Sequence, residues 1–281
     1  MIKKLVRKIF PRLLRFRRDF KNLFSIYDMH LSEQMSKRQA NHPNSFTKFG
    51  KKCFSQADED GLTIEIIKRL NLDLGTFAEF GVGDGMENNS LILLALGWNG
   101  FWVGGEDLVI DISEANRLHY QKAWITNENC CDLYRQGLKY HEIDNVNVLM
   151  LDLDGNDLFF CESLLADGAS PELFIVEYNA KFPPPVRFSI DYDPKNIWEF
   201  NDYQGASLMS FVDLFAKYGY SLICCNAASG ANAFFVKDSY KELFPEVPAK
   251  IEQIYTPPYF HLFANFGHPP SVKTIQCVIK N

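Results

Sequence analysis

Two short runs carry residues whose types and spacing can do chemistry. Glu79–Gly85 reads EFGVGDG, and Val148–Asp157 reads VLMLDLDGND. In the first, glycines at 81, 83 and 85 let backbone approach a ligand where a side chain would collide. Glu79 and Asp84 would favour a cationic group there. The dinucleotide fingerprint needs a third glycine three residues after the second. Met86 occupies that position, so the fingerprint fails. Acidic-x-Gly-x-Gly-x-Gly is instead the pattern of sites for S-adenosylmethionine, which carries an ammonium and a sulfonium and no phosphate. Gly81, Gly83, Gly85 and the nearby Asn89 are therefore candidate cofactor contacts with Glu79 and Asp84, against the plainer reading of a Gly-rich strand-to-helix turn.

In the second run, strand alternation puts Asp152 and Asp154 on one face. Ligands of open parallel sheets bind beyond the carboxyl ends of the strands. Asp152, Asp154 and Glu177 should therefore converge near the glycine loop. Methyl transfer from a sulfonium requires an acceptor in line with the methyl carbon and a group to take its proton. Asp154 is the expected base or acceptor-orienting group, with Asp152 nearer the cofactor and Glu177 and Asn179 lining the acceptor pocket. Asn156 and Lys181 are further substrate-side candidates. Asp152, Asp154 and Asn156 alternatively offer oxygen ligands for Mg²⁺ or Ca²⁺, although the spacing is not that of an EF-hand. The plain alternative is capping of the next helix by Asn156 or Asp157. A ribose-binding acid is expected where the second strand ends, in GFWVGGED (Gly100–Asp107). Gly104 stands at that place, and Glu106 is the substitute.

The elements that must position these residues alternate. Strands are predicted at Thr76–Phe80, Phe101–Val103, Ala123–Thr126, Val146–Leu153 and Leu173–Tyr178. Helices are predicted from about Asp58 with Ile64, Ile67 and Leu70 inward, then at Ser90–Leu96, Ile112–Gln121, Asn127–Leu138, Asp157–Leu165 and Ser207–Lys217. The alternation implies βαβ units around a mostly parallel sheet. Tyr220–Cys225 and Ala231–Val236 are separated by a link too short for a crossover, so they should form an antiparallel hairpin. A parallel sheet finished in that way is the plan of class I methyltransferases.

Composition, 281 residues and 47% apolar, allows one sizeable α/β domain or two small ones. Seven cysteines without a CxxC indicate neither a disulfide framework nor a zinc site, and pairs such as Cys224-Cys225 suit core filling in a reducing, cytoplasmic setting. The six histidines, among them His261 and His268 in a Pro-rich tail, have no metal-ligand spacing. Residues 1–24 carry nine Lys/Arg and one Asp, leaving a net charge of −14 on the rest. A nucleic-acid-binding core is thereby excluded. The basic segment repeats apolar residues every three or four positions (Ile2, Leu5, Ile9, Leu13, Phe16, Phe20, Phe24), with Pro11 expected to kink or break it. It is too short in apolar runs to span a bilayer. A peripheral position on an anionic membrane is expected, against a solvated helix packed on the domain or a partner. The organisation expected is a basic amphipathic segment (1–24), a linker (25–51), a methyltransferase core (52–240) and a C-terminal extension packed on the core (241–281).

Taken together, SQADEDG (55–61), EFGVGDGMENNS (79–90), GWNGFW (97–102), DLDGND (152–157), EYNA (177–180), GASL (205–208) and NAFFV (232–236) resemble the FkbM-type methyltransferases, in a branch whose fourth strand ends in Asp-x-Asp-Gly-Asn-Asp. The resemblance covers about residues 52–240. It implies a Rossmann-like α/β fold with a seven-stranded sheet, S-adenosylmethionine as donor, and O-methylation of a sugar, glycan or other hydroxylated small molecule. Two other functions stay open on the residues: an Asp-x-Asp metal-dependent glycosyltransferase, and a non-catalytic binding module of the same fold.

Overall fold

The computed structural model describes residues 2–260 and 271–280; within the first helix it describes side chains at 15, 16 and from 18 onward. In chain order the elements are α1 (Ile2–Asn41), a 3-10 turn (Ser45–Phe49), α2 (Glu59–Arg69), β1 (Thr76–Phe80), α3 (Leu91–Ala95), β2 (Asn99–Gly104), β3 (Leu118–Lys122), α4 (Cys130–Tyr140), β4 (Val148–Leu151), α5 (Asp157–Ala166), β5 (Leu173–Glu177), α6 (Leu208–Lys217), β6 (Tyr220–Cys225), β7 (Asn232–Lys237), a second 3-10 turn (Asp238–Leu243), α7 (Ile251–Ile254) and α8 (Val272–Lys280).

The seven strands form one sheet in the order β3-β2-β1-β4-β5-β7-β6. All pairings from β3 to β5 are parallel, and β7 runs antiparallel to both β5 and β6. This is the Rossmann-like class I methyltransferase architecture, with the expected terminal hairpin. The hairpin's second strand inserts between β5 and β6. Both faces of the sheet are covered, so its central strands read as continuous apolar runs. Leu149, Leu151, Phe174 and Val176 face one core with α4, α5 and α6. Met150, Ile175, Phe234 and Trp102 face the other with α2, α3 and α8.

Several local expectations are corrected. Ile112–Gln121, expected as helix, contains no helix; its last residues belong to β3, and Ala123–Thr126, expected as that strand, lies beyond it. Five register pairs from Gly100↔Leu118 to Gly104↔Lys122 set this strand, and cross-strand hydrogen bonding overrides the 3.6-residue apolar spacing of Ile112, Ala115 and Leu118. In α2 the inward residues are Leu62, Ile66, Ile67 and Leu70, while Ile64 faces out. The helix continues past Pro11, and residues 25–41, expected as linker, are its C-terminal half. Leu31 and Met35 of that half are buried against Ala57 and Ala228, and Arg38 donates to the Ala227 carbonyl at 2.9 Å. In the C-terminal part, Ile254 joins one core and Ile275 and Ile279 the other. His261 and His268 lie outside the described residues. The cysteines are free, with Cys130, Cys161, Cys224 and Cys225 buried.

Candidate ligand-binding and catalytic site

At the carboxyl ends of β1, β2 and β4 the chain leaves a cavity of about 350 Å³, within the size range of small-molecule sites. Gly81 and Gly83 border it from the first βα turn, Gly104, Gly105 and Glu106 from the turn after β2, and Asp152, Asp154 and Asn156 from the turn after β4. The lining also includes Trp124, Ile125, Phe160, Ile197 and Trp198. None of the lining residues is a lysine or arginine, and three are carboxylates.

The two bordering glycines do different work. Gly81 sits at φ +92°, and a Cβ there would lie 1.7 Å from the Asp152 carbonyl oxygen, so it lets the turns after β1 and β4 touch. Gly83 sits at φ +51° with no atom within 4 Å of a would-be Cβ; its missing side chain keeps the cavity wall open. Gly104, where an acid was expected, ends β2 with a would-be Cβ 3.0 Å from Val82 Cγ2. Close packing on the glycine turn explains the missing side chain. Glu106, two residues later, is exposed and borders the cavity.

Other residues expected at the cofactor do not border this cavity. Glu79 is buried and faces the loop that follows the glycines. Its carboxylate accepts hydrogen bonds from the Asn89 and Ser90 amides at 2.9 and 3.0 Å and from the Ser90 hydroxyl, and Trp102 Nε1 donates to that hydroxyl at 2.7 Å. Burial pushes its pKa up to about 6 despite these donors. Asp84 is exposed and accepts from the Met86 amide at 3.0 Å, closing the turn. Gly85 packs against Leu108, Ile110 and Trp102. Glu79, Asp84, Gly85 and Asn89 therefore shape the turn, and none of them lines the cavity.

The carboxylates converge, but not by strand alternation: β4, expected over Val146–Leu153, ends at Leu151, and Asp152 and Asp154 lie in the turn that follows. Asp152, Asp154 and Glu177 each place an oxygen within 4.8 Å of the others. Burial, reinforced by the neighbouring carboxylates, pushes Asp152 and Glu177 well above the usual carboxylate range. Burial also raises Asp154, whose backbone at φ 53° is left-handed, a conformation that aspartate tolerates better than most residues. Glu177 is held by Gln204, whose amide donates at 3.0 Å. Asp157 is the local organiser, accepting from the Leu153 and Gly155 amides at 2.8 and 3.1 Å. It ties the turn together, and Asn156, at the N-cap position, makes no side-chain cap to the helix amides.

Asn156 is not part of the acidic triad. Its amide donates to the Asp193 carbonyl at 2.8 Å and so fixes the loop that carries Asn196, Ile197 and Trp198. Asn179 and Lys181 do not line the cavity. Asn179 donates to the Asp202 and Gln204 carbonyls at 3.0 and 2.8 Å, and Lys181 pairs with Asp202. Both residues thus hold the segment that presents Gln204 to Glu177.

Asn232 was read only as part of a motif. It is the register partner of Glu177 across β5 and β7, which puts both side chains on the sheet face that Asp152 shares. It donates to Glu59 at 3.2 Å, while its Oδ1, in a residue 3% exposed, has no partner. Trp124 falls within the expected third strand, Ala123–Thr126, which conceals its place in the cavity wall. Its Nε1 donates to the Pro194 carbonyl at 2.7 Å, linking the turn after β3 to the 193–198 loop. Strand-end aromatics were the available signal for Trp124; the irregular 193–198 loop had none.

No protein-family model matches the chain, and no curated protein matches it. Among solved structures it is similar to the glycopeptide N-methyltransferase MtfA complexed with S-adenosyl-L-homocysteine, at 15% identity over 67% of this chain and 93% of that one, with a TM-score of 0.36. It is similar to CalO1, a methyltransferase in calicheamicin biosynthesis, at 14% identity over 63% and 56% of the two chains and a TM-score of 0.35. A protein of Streptococcus thermophilus named as a hemolysin is similar at 12% identity over 69% and 74%, with a TM-score of 0.40. Such distant likenesses bear on neither ligand nor reaction, and the architecture stands on the strand order itself.

Proposed function

We propose that the chain is an S-adenosylmethionine-dependent methyltransferase of the FkbM type that methylates a hydroxyl of a sugar, glycan or other hydroxylated acceptor. The observation that carries this reading is the cavity lining: open backbone at Gly83, three carboxylates, and no basic side chain. That lining suits a ligand with cationic groups and disfavours a phosphate. The donor supplies a methyl group made electrophilic by its sulfonium. Glu106 is placed to accept from ribose hydroxyls, and Trp124 and Trp198 offer flat walls for a purine.

On the acceptor side, Asp154 takes the hydroxyl proton, assisted by Asp152 and Glu177. Asp154 is exposed at the cavity rim, where an acceptor can reach it, and its raised pKa makes it a better proton acceptor than an ordinary aspartate. Asn156, Asn179 and Lys181 act through the loops they fix. Calorimetry with S-adenosylhomocysteine tests the reading. Binding by the native chain and its loss in Gly83→Arg, which fills the cavity, are expected; a native chain that does not bind would overturn it. Binding without turnover on any hydroxylated acceptor would point to a non-catalytic module instead.

A second reading is favoured by one observation, the convergence of Asp152, Asp154 and Glu177 oxygens within 4.8 Å. Three carboxylates at that spacing suit a hard divalent cation, with Glu177 in the place that the sequence assigned to Asn156. Such an ion could orient the acceptor hydroxyl, or could serve a nucleotide-sugar transferase, which the lack of lining cations opposes. Titration with Mg²⁺ or Mn²⁺, in the native chain and in Glu177→Gln, separates the two: metal-independent turnover leaves the first reading alone.

A further inference from the structure

Helix α1 changes character along its length without changing its face. Leu31 and Met35 are buried on the domain, and Arg38 stacks over the Tyr259 ring at 3.2 Å. At 100° per residue, Phe16, Phe20, Phe24 and Tyr27 continue the same stripe. There, however, the side chains are exposed: Phe16 by 68% and Phe20 and Phe24 by 53% each. Their rings follow one another at centroid distances of 6.2 and 5.6 Å. None of the described residues covers them.

We infer that the N-terminal half of α1 is a docking surface for an anionic lipid bilayer, with Phe16, Phe20 and Phe24 as its inserting face. Charge selects this occupant. Residues 1–24 are net +8, so two such helices repel each other and the face is poorly suited to pair with its own copy. The rest of the chain, at −14, is repelled by an anionic surface, which leaves the helix as the point of contact. Exposed rings interleaved with Arg15, Arg18 and Lys21 supply both the apolar area and the charge that interfacial binding needs. The helix is rooted by Arg38 on Ala227, just past the carboxyl end of β6. That is the edge of the sheet at which the candidate cavity opens. Docking is independent of the methyl-transfer reading and stands or falls on its own measurement.

Co-sedimentation of the full chain with vesicles of phosphatidylglycerol and of phosphatidylcholine tests it. Binding to the anionic vesicles, weakened by salt, is expected, with little binding to the neutral ones. The triple variant Phe16→Ser/Phe20→Ser/Phe24→Ser and the charge variant Arg15→Glu/Arg18→Glu/Lys21→Glu should each lower the apparent affinity by about tenfold or more. All six positions are exposed, so circular dichroism and S-adenosylhomocysteine binding should stay as in the native chain. Equal binding to both vesicle types, unchanged binding by both variants, or self-association that the triple variant abolishes with no vesicle binding would overturn the inference.

Discussion

Asp152 and Glu177 face each other across neighbouring strand ends, and each is pushed up mainly by burial and then by like charge. A carboxyl raised in the folded state binds protons that the unfolded state has released. It therefore costs stability once the pH passes the unfolded pKa. Glu177→Gln keeps the acceptor for Gln204 and removes the charge. In the ligand-free chain it should raise the melting temperature at pH 7, by roughly 2–4 °C for each kcal/mol recovered, and the gain should vanish near pH 4. In turnover assays the same variant and Asp154→Asn should lose activity, Asp154→Asn by about 10²-fold or more. A pH–rate profile that keeps its acidic limb in Asp154→Asn would remove that residue as the base. Trp124→Ala should weaken S-adenosylhomocysteine binding by about tenfold; unchanged affinity would take it out of the binding wall.

The turns after β1, β2 and β4 hold the cavity, and two glycines one residue apart make opposite predictions. Gly81→Ala puts a methyl group against the Asp152 carbonyl at a strained φ. It should cost stability by about 2 kcal/mol or more and disturb both turns. Gly83→Ala meets no atom and pays only for its left-handed backbone, about 1 kcal/mol. Denaturant unfolding of the two variants checks this, and equal costs would mean that the β1 and β4 turns do not touch. The loops beyond these turns are braced by polar side chains, Asn156 to Asp193 and Trp124 to Pro194. Residues that look like ligand contacts in a linear reading are here the supports of other contacts.

Across the whole molecule, buried acids accumulate beyond the Asp152, Asp154 and Glu177 cluster. Burial raises Asp58, Asp60 and Glu79 to about 6 each. With unfolded values near 4, all three bind more protons folded than unfolded between about pH 4 and 6. Stability should therefore decline as the pH climbs through that window, and the net charge of −14 beyond residue 24 adds self-repulsion of the same sign. Thermal melts from pH 4.5 to 7.5 should show the maximum on the acidic side. A flat profile would mean that these carboxyls are satisfied as anions by their hydrogen bonds.

Local pattern was enough for the parts of this protein that depend on short-range periodicity. β1 was readable to the residue and the last two strands as a hairpin, whereas Asp152, Asp154 and Glu177 meet because the turn after β4 brings the two aspartates beside the end of β5, beyond the reach of strand alternation. The order of strands in the sheet follows from the same logic only in outline. Long-range pairing decided the rest. Hydrogen bonding to β2 placed β3 where an apolar spacing suggested helix, and burial against the domain turned an expected linker into half of α1. Tertiary packing also determined which of the motif residues face the cavity. Glu79 and Asn89 look like cofactor contacts in sequence, yet a buried carboxylate must find donors, and the nearest ones were the amides of its own loop. Asn232 had no recognisable signal, because only the β5–β7 register sets it beside Glu177. Sequence determined the chemistry available at the sheet's edge; the fold determined which of those groups are free to use it.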